Sequence, residues 1–162
     1  MEKRTGYRWL LQNQSGATLL LVAFSMVILL GVAAFAIDFG YRHVTRNELQ
    51  NIADGAALAS ARQLGVIYKG ILPADQQTYD PSTMDADGNG TIDKQQIIQI
   101  AQAVGTSNKA AQQAIAILAN EVEIGTWISG VFTPTDTHPN AVRVKSRRDT
   151  TANSPITTFF AR

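Results

Sequence analysis

Residues 33–61 read AAFAIDFGYRHVTRNELQNIADGAALASA. An uncharged run ends at Asp38, yet helix-forming residues continue beyond it with no proline to stop them. One helix that leaves apolar surroundings and continues in water fits both halves. Upstream, Ala17–Ile37 reads ATLLLVAFSMVILLGVAAFAI without a charge. At about 1.5 Å per residue, about 21 residues span about 30 Å, the hydrocarbon thickness of a bilayer. Downstream, Tyr41, Val44, Leu49, Ile52, Ala53, Ala56, Ser60 and Leu64 trace one helical face. Ala53, Ala57 and Ala61 lie four apart, with Ala56 and Ser60 repeating the interval beside them. Small residues at that interval let another element approach closely. That element is either the chain's own globular part or a partner subunit. An unbroken helix from Ala17 to Leu64 would be about 70 Å long.

The leader, residues 1–16, carries Lys3, Arg4 and Arg8 against one acid, with Tyr7 and Trp9 as interfacial anchors. Basic flanks stay in the cytoplasm, which places the N-terminus inside and everything after Asp38, the expected membrane boundary, outside. Arg42 and Arg46 on the far side weigh against that orientation. A single uncleaved anchor is the first reading of residues 17–37. A second is a secretory signal with an AxA-like site at Ala34-Phe35-Ala36, although its apolar core is longer than usual. A third is a pilin-type leader cut after Gly16, although Leu21 stands where type IV prepilins carry a glutamate.

Composition removes many functions. The formal net charge is +1, which gives no bulk electrostatic case for a nucleic-acid partner. There is no cysteine, hence no disulfide, thiol catalysis or thiolate metal site. The histidines His43 and His138 lie far apart, without metalloprotease spacing. No nucleophile, base and orienting acid stand together, and no phosphate-binding glycine loop is present. The chain does not read as an enzyme, and no small-molecule substrate is expected.

The expected class is α+β: a long N-terminal transmembrane helix, with residues 38–64 as its amphipathic extension, leading into a small extracytoplasmic domain, residues 65–162. Residues 65–84 read as a connection. KQQIIQIAQAV gives one short helix through Ile97, Ile98, Ile100, Ala101 and Val104. NKAAQQAIAILAN gives another, capped by Ser107, with Ala111, Ala114, Ile115 and Leu118 on one face. Val122–Phe132 and Ala141–Arg147 read as antiparallel strands joined by a loop of about eight residues. Trp127 is expected in the core of that sheet. Arg143, Lys145, Arg147 and Arg148 are expected on a solvated strand face and its end.

DADGNGTIDKQQ, residues 85–96, has the spacing of a calcium loop of the EF-hand kind. Asp85, Asp87 and Asn89 stand at positions one, three and five, Gly90 at the turn, Thr91 at the carbonyl position and Asp93 at nine. Calcium takes such a cage of hard oxygens. Gln96 stands where a bidentate glutamate belongs, and TYDPST is a poor entering helix, so this is a weak EF-hand-like loop. The competing reading is an Asp/Asn/Gly turn bonded only to its own backbone.

Residues 15–64, from SGATLLLV to SARQL, resemble the N-terminal segment of the TadG-like proteins, a family linked to Flp (tight adherence, Tad) pilus assembly. The resemblance rests on Gly16, Asp38, Gly40 with Tyr41, and Glu48–Ala59, which is similar to "ELQNAADAAALA" with Ile52 and Gly55 as departures. VEIGTWISGVFTPTDTHPNAVRVKSRR and PITTFFAR also resemble the region after the anchor in many members. In the family a segment like PITTFFAR leads on into further chain, whereas here it stops at Arg162; a truncated chain and a short variant are both open. Ile156, Phe159 and Phe160 would need cover. The calcium loop is not implied by the resemblance and reads as an insertion.

The resemblance implies a membrane-anchored structural component of Flp/Tad pilus assembly, in the bacterial inner membrane. Its domain would be periplasmic or extracellular, and its partners other pilus-assembly or pilin-like subunits. The alternatives are a secreted calcium-binding adhesion module released by signal peptidase, or a pilin-like filament subunit processed after Gly16.

Overall fold

The computed structural model describes residues 15–160. The basic leader, with Lys3, Arg4, Tyr7, Arg8 and Trp9, lies outside the described residues, as do Ala161 and Arg162. The architecture is α+β. Helix α1 covers Ser15–Gly70 as one element of 56 residues, continuing past Leu64 because Ile67 still finds a place in the core. Helix α2 covers Asp93–Ser107. Five strands follow: β1 (Lys109–Ala110), β2 (Gln113–Ala114), β3 (Val122–Ile128), β4 (Val131–Pro134) and β5 (Ala141–Val144). β1 pairs with β2, and the second sheet has the order β4-β3-β5, antiparallel throughout.

The chain divides into two compact units, Met1–Tyr41 with Thr158–Arg162, and Arg42–Thr157. In the described part of the first, the large apolar side chains between Leu19 and Ile37 are 53% to 73% exposed. This helix is long and apolar enough to cross a membrane. In the second unit, Ile52, Ala56, Ser60, Leu64 and Ile67 of α1 are buried. Ile52 and Ala56 join Ala101, Ile115 and Val122; Leu64 and Ile67 join Tyr79, Ile97 and Ile124. Thr45 is also fully buried, whereas Val44, expected on the inner face, is exposed.

The helix expected over NKAAQQAIAILAN does not form. Ser107 instead ends α2, and Ala111 and Gln112 turn the chain with φ of 49° and 63° between β1 and β2. The Ile115 N–H donates to the carbonyls of Gly105 and Asn108, and Ile115 and Ile117 are both buried. Extended backbone brings these two, spaced two apart, onto one face. A helix would place Ile115 and Leu118 together and turn Ile117 away. Burying an isoleucine contributes about 1.5–3 kcal/mol, against helix preferences of a few tenths per residue, so packing decides.

Val122–Phe132 is likewise not one strand but two, reversed at Ser129 and Gly130, both with positive φ. β3 pairs with β5 as expected, Ile124 opposite Val142. Gly125 sits where β4 approaches closely: a Cβ there would lie 2.3 Å from the Thr133 carbonyl oxygen. Trp127 is not in the core but 56% exposed. Only the first half of β3 is packed, through Val122 and Ile124, and the second half runs out into the hairpin, where Trp127 faces Phe132.

The basic strand face is solvated at Arg143 and Lys145, as expected, whereas Arg147 and Arg148 at its end are half-buried. Arg143 pairs with Glu123 and covers the Phe132 ring at 4.5 Å. Arg147 pairs with the buried Glu121. Arg148 donates to the carbonyl of Ala110 and the side chain of Gln113. Lys145 remains exposed at the edge of this network, 4.0 Å from Glu123.

Candidate functional site

Loop 85–96 is built around the start of α2. The Met84 carbonyl accepts the N–H of Asp93, and the Pro81 carbonyl that of Lys94, which fixes the loop's exit. Gly88 and Gly90 have φ of 69° and 87°, so the chain folds back over the carboxylates. Asp85 accepts the N–H of Asn89 at 3.1 Å and of Gly90 at 2.8 Å. Asp87 accepts the N–H and the Nδ2 of Asn89, and the Nε2 of Gln96 at 3.1 Å. That amide holds the Asp87 carboxyl below the usual range. The Asn89 side-chain oxygen accepts the Thr91 N–H.

Asp93 differs from the other two acids, being fully buried. Its Oδ2 accepts the Tyr79 hydroxyl at 2.8 Å and the Ala86 N–H at 3.1 Å, while its Oδ1 has no hydrogen-bond partner among the described residues. Burial and then this acidic neighbour push the Tyr79 hydroxyl well above its ordinary value, so it stays a donor. One carboxylate oxygen from each of Asp85, Asp87 and Asp93 lies within 4.8 Å of the others. Oxygens 2.3–2.6 Å from a shared calcium ion can be about that far apart. The sixth predicted residue, Gln96, presents its nitrogen to Asp87 and its oxygen to Gln63 of α1, at 3.0 Å.

The alanine interval on α1 falls into two rows. Ala56 and Ser60 are fully buried within the second unit, where the Ser60 hydroxyl donates to the Ile97 carbonyl. Ala53, Ala57 and Ala61 flank them, half-buried. Leu58, 73% exposed, and Val66 are the exposed large apolar side chains of this part of α1.

In the first unit, Asp38 is buried, accepting the N–H of Phe159 at 2.8 Å and of Phe160 at 3.1 Å. Tyr41 meets the Phe159 ring edge to face at 5.6 Å. The aspartate and aromatic after the apolar run thus meet the two phenylalanines of FFAR, from opposite ends of the chain. Phe159 and Phe160 nevertheless remain largely exposed.

Residues 16–63 match the family model of putative Flp pilus-assembly TadE/G-like proteins. The match begins at Gly16, contains the whole apolar run and Asp38, and ends within the packed part of α1. Strands β3–β5 and the FFAR segment lie outside the match. A search of curated proteins found no match, and neither did a search of solved structures.

Several residues at these sites carry no sequence signal. Tyr79 and Gln63 reach the loop from outside the spacing pattern. Glu121, buried and bonded to the Leu118 N–H and Arg147, sits in a stretch with no acidic motif.

Proposed function

We propose that this chain is a membrane-anchored structural component of Flp/Tad pilus assembly, working through protein contacts. The observation that carries it is the TadE/G-like match, which coincides with an apolar helix that the described chain leaves bare. Thirteen large apolar side chains from Leu19 to Ile37 are exposed. At about 1.5–3 kcal/mol for each full burial, even half of that gain is about 10–20 kcal/mol, comparable with a whole domain's stability. Such a surface requires lipid or other apolar chains around it. A bilayer supplies that cover over residues 17–37, and the positive leader supports an N-terminus inside and a domain outside.

In this reading the second unit is the part that meets other subunits. Ala56 and Ser60 are spent on intrachain packing, so contact with a partner helix falls to the Ala53, Ala57 and Ala61 row and to Leu58 beside it. Photoreactive residues replacing Leu58 and Ala56, in separate strains of the native host, test this. A crosslink to another pilus-assembly or pilin subunit from Leu58 but not from Ala56 is expected. Loss of pili on deletion of the gene is expected as well. Normal piliation after deletion would refute the assignment to pilus assembly.

The mass of the mature protein separates the three N-terminal possibilities. An intact Met1 fits the anchor, a new Ile37 a secreted module, and a new Ala17 a processed pilin-like subunit.

A further inference from the structure

We propose that loop 85–96 binds one calcium ion through the carboxylates of Asp85, Asp87 and Asp93, with oxygens of Asn89 and Thr91 completing the shell. Two independent observations carry this. The spacing places five oxygen donors at alternate positions around Gly90, the arrangement a hard, large cation takes up. Separately, Asp93 is fully buried, part of the cluster of three carboxylates, and holds an oxygen with no hydrogen-bond partner among the described residues.

A turn bonded only to itself accounts for Asp85 and Asp87, whose oxygens accept the N–H groups of Asn89 and Gly90. It does not account for Asp93. A buried carboxylate with an oxygen left without a donor is costly, and two further carboxylates close to the same side chain add repulsion. A cation among the three carboxylates supplies the opposite charge that this buried group lacks. The donor set is all oxygen, which selects calcium over softer metals. With glutamine at position twelve, the affinity falls in the range of extracellular modules, about 10⁻⁴ to 10⁻³ M.

The ion would do more than close a loop. Asp93 bonds Tyr79 in the core, and α2, which it begins, is joined to α1 through Ser60 to Ile97 and Gln63 to Gln96. Calcium therefore tightens the joint between α2 and α1. This inference concerns the loop's chemistry and does not depend on a role in pilus assembly.

The test uses the full chain in a non-ionic detergent. Calcium is titrated by calorimetry, and terbium by luminescence sensitised through Tyr79, which touches a ligand. Saturable binding at about 10⁻⁴ to 10⁻³ M is expected, with magnesium at least about tenfold weaker. Asp87→Asn, an exposed position, is expected to weaken calcium binding about tenfold. Gln96→Glu restores the bidentate ligand, so it should tighten binding about tenfold. The same variant should lower the melting temperature in chelator and raise the calcium-induced shift, because a fourth carboxylate repels the others until the ion arrives. No saturable binding up to ~10 mM calcium, or equal affinity for magnesium, would overturn the proposal. So would Asp87→Asn and Gln96→Glu variants that bind like the parent.

Discussion

Replacing Tyr79 with phenylalanine removes one oxygen and leaves the ring. That ring packs edge to face on Tyr68 at 5.0 Å and is 1% exposed, so its packing survives the change. What is lost is the hydroxyl bond to Asp93 Oδ2 at 2.8 Å. Asp93 is fully buried, and its Oδ1 already lacks a partner, so the Ala86 N–H becomes its single remaining side-chain contact. A hydrogen bond to a charged group contributes about 1.5–3 kcal/mol, and water cannot replace it at a site this buried. For a unit the size of Arg42–Thr157, about 2 kcal/mol corresponds to a fall of roughly 8 °C in melting temperature. Thermal unfolding of the full chain in detergent with chelator, followed by near-ultraviolet circular dichroism, measures it. A shift below about 2 °C would mean that Asp93 is not held by Tyr79, and the reasoning about its buried carboxylate would fail with it.

Other consequences are independent of that one. Gly125→Ala forces a Cβ to within 2.3 Å of the Thr133 carbonyl oxygen, so the β3–β4 hairpin must part. A loss of about 1–3 kcal/mol in denaturant unfolding is expected. Glu121→Ala leaves Arg147 without its buried partner; because Arg147 is itself 38% exposed, the cost is reduced to about 1–3 kcal/mol in the same assay. Asp38→Ala should abolish hydrogen-exchange protection of the Phe159 and Phe160 amides while leaving those of β3 unchanged. The carboxyls of Asp80, Asp87 and Asp149 are held below 3.8, chiefly by Ser82, Gln96 and the Ala152 backbone respectively. Their contribution is present above the unfolded value and lost as pH falls through the lower folded values, so a melting curve should decline below about pH 4 and stay flat near neutrality.

The long helix was legible because its signal is redundant. Twenty-odd uncharged positions, no proline and an alanine-rich continuation all favour the same state. The clustering of Asp85, Asp87 and Asp93 was legible for the opposite reason: their spacing around Gly90 is enough to bring the three carboxylates together. Tertiary packing, by contrast, leaves little trace in local pattern. In KAAQQAIAILAN, alanine and glutamine favour a helix, yet the alternation of Ile115 and Ile117 governs, since both reach the core only from extended backbone. Trp127 shows a related limit. Its size argued for the interior, but the core ends at Ile124, and nothing in VEIGTWI marks where a strand leaves its support. Whether Ala56 and Ser60 faced the chain itself or a partner depended on α2 and β3, which the helix sequence cannot describe.

The proposed function stands or falls on whether α1 carries the chain across a membrane with residues 65–160 on the outer side. The natural sequence has no cysteine, so single replacements report their own surroundings. Thr5→Cys, Leu29→Cys and the exposed Thr137→Cys would be treated with a membrane-impermeant maleimide, in cells whose outer barrier is opened and again after lysis. The expected result is labelling of the Thr137 variant in opened cells, of the Thr5 variant only after lysis, and of the Leu29 variant in neither. Labelling of the Thr5 variant in opened cells with protection of the Thr137 variant, or ready labelling of the Leu29 variant throughout, would contradict it.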